Sequence, residues 1–157
     1  MRRKDREITD PAEMESILAE SSVCRLALAD GGEPYVVPLC FGYRDRVLYF
    51  HSAGEGKKIA MLRKNPRCCV EVDRYEGPLR DASPCKWEVR YKSVICTGTA
   101  CIMDTYEEKR TGLNCILRQY GGTEYSFSEK EMERVCVVRV EILGMTGKKY
   151  GYDTDQS

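Results

Sequence analysis

Apolar and polar positions change their period several times along this chain, and each change marks an element. Met14, Ile17 and Leu18 recur at helical spacing, which predicts a helix from about Asp10 to Ser21. Asp10 is a good N-cap, Pro11 suits the first helical position, and Glu13 completes a capping box. Strand-like runs follow at Val23 to Ala29, Tyr35 to Tyr43 and Val47 to Ser52. The first ends at the turn Asp30-Gly31-Gly32, and Arg44-Asp45-Arg46 joins the other two as a short hairpin. In Val47 to Ser52, parity places Val47, Tyr49 and His51 on one face and Leu48, Phe50 and Ser52 on the other.

The pattern then turns helical from about Gly56 to Arg63 and stops before Asn65-Pro66. Cys68 to Asp73 alternates as a strand. Residues 76–87, with Gly77, Pro78, Ser83 and Pro84, read as a long loop. Val89 to Met103 is the longest strand, and its small Gly98 and Ala100 predict a bend or a close approach to the backbone. A helix from about Thr105 to Tyr120 is expected, capped by Asp104 with Glu107, with Leu113, Ile116, Leu117 and Tyr120 as its buried stripe. A short helix opens at Ser128, and Val135 to Leu143 is the last strand. Six strands with hairpin-length connections do not form a βαβ series. They predict a mainly β fold, an antiparallel sheet curled into a barrel with peripheral helices.

At 157 residues one domain is expected, spanning 1–157 with a core of about 8–149. Charged residues make up 32% and cancel to a net charge of zero, which argues against a nucleic-acid partner. The basic start Arg2-Arg3-Lys4 is offset by Asp5 and Glu7 and reads as a solvated arm. No apolar run approaches the roughly 20 residues a membrane helix needs, and no signal-peptide core follows Met1, so a cytoplasmic protein is expected. The nine cysteines include no Cys-x-x-Cys pair and His51 is the single histidine, so no metal site is expected. Most of the thiols read as small buried hydrophobes, with Cys85, expected to be exposed, the candidate reactive or redox-sensing thiol.

Three features carry chemistry. The stretch Leu48-Tyr-Phe-His-Ser-Ala-Gly-Glu-Gly-Lys-Lys58 ends a strand, turns on two glycines and opens a helix with two lysines. Lysines there oppose the helix dipole, and a bound anion would resolve the conflict. A solvated surface helix explains the same residues, and spacing alone favours that reading slightly. Pro38, inside Val36-Val37-Pro38-Leu39, requires a strand open on one side, whether for a planar ligand or simply as an exposed edge. A lone histidine such as His51, at the end of its strand, is usually a hydrogen-bonded structural residue, and it is also suited to binding a substrate carboxylate or donating a proton. A Gly-x-Ser-x-Gly elbow, a Walker loop and a strand-linked Gly-x-Gly-x-x-Gly are all missing.

Taken together, Pro34-Tyr-Val-Val-Pro-Leu-Cys-Phe-Gly-Tyr43, the Leu48–Lys58 block, Asn65-Pro66 and Val70-Glu-Val-Asp73 resemble the pyridoxamine-5′-phosphate-oxidase-related flavoproteins. Cys85-Lys-Trp-Glu-Val-Arg-Tyr-Lys-Ser93-Val, Gly98-Thr-Ala100 and Thr146-Gly-Lys148 extend the likeness over about residues 8 to 149. It is greatest to the nitroimidazole-resistance (Nim) branch. The resemblance implies a six-stranded split barrel of the FMN-binding type and a homodimer with two FMN sites at its interface. It implies that Lys57 and Lys58 grip the FMN phosphate with Ser52 nearby, and that Val37, Pro38 and Leu39 face the isoalloxazine ring. Phe50 and His51 belong to the same cofactor-binding block, with His51 as the catalytic or substrate-binding residue. Trp87, Arg90 and Ser93 match a block near the flavin, across the interface from it.

The chain also departs from the oxidases themselves. They carry Arg and Lys in the strand that here reads Tyr35-Val-Val-Pro-Leu-Cys40, and end in an Arg-rich tail where this chain reads Tyr150-Gly-Tyr-Asp-Thr-Asp-Gln-Ser157. Oxidation of vitamin B6 is therefore not expected. The expectation is an FMN-dependent oxidoreductase that reduces a small organic molecule, nitroimidazole-type nitroaromatics included. The alternatives are a non-catalytic flavin or haem binder acting as reservoir or redox sensor, and a barrel without cofactor serving as an interaction module.

Overall fold

The computed structural model describes residues 3–152; Arg2 of the basic start and the tail beyond Tyr152 lie outside them. A short 3-10 turn, Lys4–Arg6, leads into β1 (Glu7–Ile8) and α1 (Pro11–Ala19). The strands β2 (Val23–Asp30), β3 (Glu33–Cys40), β4 (Gly42–Arg44) and β5 (Val47–Ser52) follow. Next come α2 (Lys57–Lys64), β6 (Arg67–Leu79) and β7 (Glu88–Met103). The chain closes with α3 (Tyr106–Gln119), α4 (Glu129–Glu133) and β8 (Cys136–Tyr150).

All ladders are antiparallel, in the order β3-β2-β6-β7-β8-β5-β4, with β1 beside β8. β3 comes back against β5, which curls the sheet into the split barrel. Its interior is filled by alternate residues of every long strand, among them Leu26, Val70, Val72, Val94, Val138 and Val140. Phe41 and Phe50 sit in the same core, and Ile17 and Leu18 of α1 and Ile59 and Leu62 of α2 are packed into it. Each such side chain contributes about 1.5–3 kcal/mol by leaving water.

Among the described residues the sheet has eight strands, two more than the sequence pattern predicts. β1 is too short to show a period. β4 arises because the run Tyr35 to Tyr43 breaks at Phe41, whose ring is fully buried, and resumes on the opposite edge of the sheet. The expected loop 76–87 is half strand: β6 continues to Leu79, and its pairing with β7 resumes at Pro78↔Val89 after an irregularity. The last strand runs on to Tyr150 because β1 and β7 both pair with its second half. Gly98 behaves as expected. It lies at a register shift between β7 and β8, and a Cβ there would stand 2.4 Å from the Glu141 carbonyl oxygen.

Two helix starts differ from expectation. Asp10 caps α1 by accepting from the Ala12 N–H, but Glu13 does not complete a box, because its carboxylate takes the Lys149 ammonium at 2.8 Å. α3 is capped one residue later than predicted, by a reciprocal Thr105–Glu108 box. Its Tyr120 is exposed rather than buried and donates its hydroxyl to the Ser22 carbonyl. Cys85 is exposed, as are Cys40 and Cys101; none of the nine cysteines is bridged.

Candidate functional site

β5 delivers the chain to the start of α2. Gly56, at φ +115°, is the N-cap, and no side chain caps the helix. The first turn has no acidic residue, and it carries Lys57 and Lys58. The two ammonium groups differ in setting. Lys57 Nζ lies 2.6 Å from Glu33 Oε1 and 5.2 Å from the centre of the Tyr35 ring, so it reaches over the start of β3. Lys58 is half-buried, with Nζ 5.6 Å from the Phe50 ring. Burial pushes its pKa below the ordinary lysine value, because the charged form loses hydration.

β3 is an edge strand, with β2 as its sole ladder partner among the described residues. That is why Pro38 is tolerated: the edge away from β2 needs no donor. Pro38 is exposed, whereas Val37 and Leu39 are half-buried and packed against the core. Val37, Pro38 and Leu39 are thus presented on the open flank whose start Lys57 reaches.

His51 is exposed and stands opposite Val137 of β8. Phe50 is buried and Ser52 half-buried on the other face of β5, as parity requires. No group of three His, Cys, Asp or Glu side chains with metal-holding geometry occurs among the described residues.

Trp87, Arg90 and Ser93 form a second group, at the start of β7 and just before it. Trp87 Nε1 donates to the Asp81 carbonyl at 2.9 Å, and Arg90 Nε donates to the Gly151 carbonyl at 2.8 Å. Ser93 is paired with Asp73 and Lys148. The row containing His51 crosses β7 at Met103, ten residues from Ser93, a strand length of about 33 Å. Within one chain, then, His51 and the Trp87–Arg90–Ser93 group are separate, whereas the row of Pro38 crosses β2 and β6 and meets β7 at Ile95, two residues from Ser93.

Two features of the site were not read from the sequence. Glu33, the partner of Lys57, is 24 residues away, and only the return of β3 against β5 brings it close. The second is a set of exposed apolar side chains on the outer face of the sheet. Val36 (62% exposed) and Val23 (43%) flank Pro38 on β3 and β2, and Ile95 (44%) and Leu143 (68%) lie on β7 and β8, with the charged Arg25, Glu71 and Asp73 between the two pairs. Single exposed apolar residues are ordinary, and it is their recurrence on several strands of one face that sets these apart. The alternation in β2 and β3 could have signalled it, since both of their faces carry apolar residues.

A pyridoxamine 5′-phosphate oxidase family model matches residues 10–149. Among solved structures, a candidate 5-nitroimidazole antibiotic resistance protein of Bacteroides thetaiotaomicron is 36% identical, with a TM-score of 0.80. That match covers 90% of this chain and 85% of the other. An FAD-binding protein of Mesorhizobium loti is 25% identical over 93% of this chain and 98% of its own, with a TM-score of 0.69. An FAD and haem binding protein of Mycobacterium smegmatis, at 19% identity, shares the fold with a TM-score of 0.79 over 96% and 76% of the two chains. Among curated proteins, the uncharacterized protein RA0666 of Rhizobium meliloti is 30% identical over 86 residues, 55% of this chain and half the length of that relative. With a family model spanning nearly the whole chain and a close structural match to a nitroimidazole-resistance-type protein, this chain belongs to the pyridoxamine 5′-phosphate oxidase family, in its Nim-like branch.

Proposed function

We propose that this chain binds FMN at the interface of a homodimer and acts as an oxidoreductase on small organic molecules, nitroimidazole-type nitroaromatics among them. The observation that carries the reading is the start of α2, an uncapped helix end bearing two lysines beside an open strand edge. Free N–H groups, the helix dipole and two ammonium groups together suit a dianionic phosphate. The residues present therefore fit the phosphate end of the cofactor.

Bound FMN would supply hydride or single electrons to the substrate. The chain's own residues do the rest. Lys57 and Lys58 hold the phosphate, and Ser52 stands beside them. Val37, Pro38 and Leu39 offer an edge on which a planar ring can lie. A second copy, docked through the outer face of the sheet, would bring its Trp87, Arg90 and Ser93 towards that ring. The exposed imidazole of His51 is placed at the end of β5 to orient the substrate or deliver a proton to it. The Arg and Lys that hold the substrate phosphate in pyridoxamine-phosphate oxidases have no counterpart in Tyr35–Cys40, which supports a substrate other than a B6 phosphate ester.

The test is spectroscopic. Protein purified with FMN should be yellow and elute as a dimer. After anaerobic reduction, a nitroimidazole should restore the flavin bands. Flavin bands without turnover would reduce the reading to a flavin-binding protein, and a Soret band would replace it with haem binding. If His51→Ala turned over as fast as the parent, the catalytic role of His51 would be wrong.

A further inference from the structure

A cavity of about 300 Å³ lies between the β4–β5 hairpin and α3, and the proposed flavin chemistry does not use it. Three guanidinium groups line it: Arg44 from the hairpin, and Arg110 and Arg118 from one side of α3. Val47 and Tyr49 form an apolar floor. These two residues share the outer face of β5 with His51.

The walls are fixed by close backbone packing. A Cβ on Gly42 would stand 2.6 Å from the Cys115 backbone, and one on Gly112 would stand 2.8 Å from the Tyr49 ring. α3 therefore lies directly on the hairpin, and its arginines project from a backbone that cannot recede. The hairpin turn adds a second constraint. Asp45 and Arg46 have φ of 51° and 63°, left-handed values that hairpin turns ordinarily assign to Asn-Gly. Holding such conformations in two non-glycine residues costs stability, and strain of this kind collects at ligand clamps.

The cavity already holds a weak internal anion. The two oxygens of Glu124 take one guanidinium each, from Arg110 at 3.4 Å and from Arg118 at 3.3 Å. Neither contact has the two-pronged geometry that makes Arg–carboxylate pairs strong, and all three side chains are more than a third exposed, so both are screened. Arg110 is also held by Glu107 at 2.8 Å and Arg44 by Asp45 at 3.0 Å. Of the charged groups lining the cavity, three guanidiniums face two carboxylates. The segment that brings Glu124 is anchored by Asn114, buried to 3%, which donates to the Tyr125 carbonyl and accepts from the Tyr125 N–H.

We propose that this cavity binds a phosphate monoester of a small organic molecule. Arg110 and Arg118 exchange the single charge of Glu124 for a dianion, Arg44 closes over it from the hairpin, and the organic part lies on Val47 and Tyr49. Guanidinium forks match a phosphate's oxygens in geometry and charge, and the volume is within the range of small-molecule sites.

The full-length protein is titrated calorimetrically with glycerol 3-phosphate at low ionic strength, with glycerol and malonate as comparison ligands. Saturable binding of the phosphate ester is expected, with no signal for glycerol and weaker binding of malonate. R110A/R118A should weaken it at least tenfold. R110K/R118K, which keeps the charge and the helix but loses the forks, should weaken it too. E124Q should tighten it severalfold by removing the internal competitor. The proposal is overturned if glycerol 3-phosphate does not saturate, if glycerol or malonate binds as well, or if folded R110K/R118K and E124Q both bind like the parent. It is also overturned if binding is abolished by K57A/K58A and not by the arginine variants, which would move the anion to α2.

Discussion

Two helix starts in this chain solve the same problem in opposite ways. α3 begins with a reciprocal Thr105–Glu108 box and two acids, Glu107 and Glu108, in its first turn. α2 begins at Gly56 with no side-chain cap, no acid and two lysines. The first arrangement satisfies the free N–H groups and the dipole from within the chain. The second leaves both unmet and adds positive charge to them. A cap contributes about 1 kcal/mol and each misplaced charge opposes the dipole by about 0.3–1 kcal/mol, so α2 starts at a disadvantage. It is nevertheless a helix, because Ile59, Met61 and Leu62 are buried in the barrel's core. Packing carries this helix, which leaves its first turn available for a ligand.

The largest expected effect tests that contrast directly. K57A/K58A should lower FMN affinity roughly 100-fold or more, since each charge-assisted contact to phosphate is worth about 1.5–3 kcal/mol. Quenching of FMN fluorescence measures it. Parent-like retention in the double variant would return α2 to the class of solvated surface helices. At the other helix the expectation is reversed. Thr105→Ala should remove about 1 kcal/mol of stability and lower the melting temperature by roughly 2–4 °C, with FMN affinity unchanged.

A smaller effect belongs to Glu33. Its pair with Lys57 is about half exposed on both sides, at 66% and 51%, and such pairs contribute about 0.2–1 kcal/mol. In the chain without ligand, Glu33 stands in as the anion for Lys57. Glu33→Gln should free that ammonium and tighten FMN up to about fivefold, read by the same quenching assay. Weaker binding instead would make Glu33 a residue that positions Lys57.

Most of the barrel was legible because its elements are locally consistent. β5 alternates cleanly between core and outer face, and β2 and the Asp10 and Ser128 caps follow the same local rules. Sequence and structure differ where a distant partner overrules a local signal. Gly77-Pro78 reads as a loop, yet Pro78 rejoins the ladder because β7 is there to receive it. Of the site, the Leu48–Lys58 block and Pro38 were visible as local oddities: charge against a dipole, and proline in an apolar strand. The separation of Trp87, Arg90 and Ser93 from His51 was not, because strand register is set by tertiary pairing and not by composition. The three arginines beside Tyr49 are illegible for the same reason, since tertiary packing brings hairpin and helix together, with close approaches at Gly42 and Gly112.

The smallest effect separates Lys58 from Lys57. Burial holds the Lys58 pKa below its ordinary value of 10.5, so a window opens beneath 10.5 in which the folded chain has released a proton that the unfolded chain still binds. Stability without ligand should therefore rise with pH through that window, and Lys58→Met should remove this part of the slope. A phosphate dianion at the start of α2 favours the ammonium and pushes the pKa back up. Saturating FMN should thus flatten or invert the same slope in the parent and leave the Lys58→Met profile unaltered. Urea unfolding at several alkaline pH values, with and without FMN, measures both. A slope that ignores FMN would mean that Lys58 is simply a half-buried lysine packed over Phe50, and the contrast between the two helix starts would then rest on Lys57 alone.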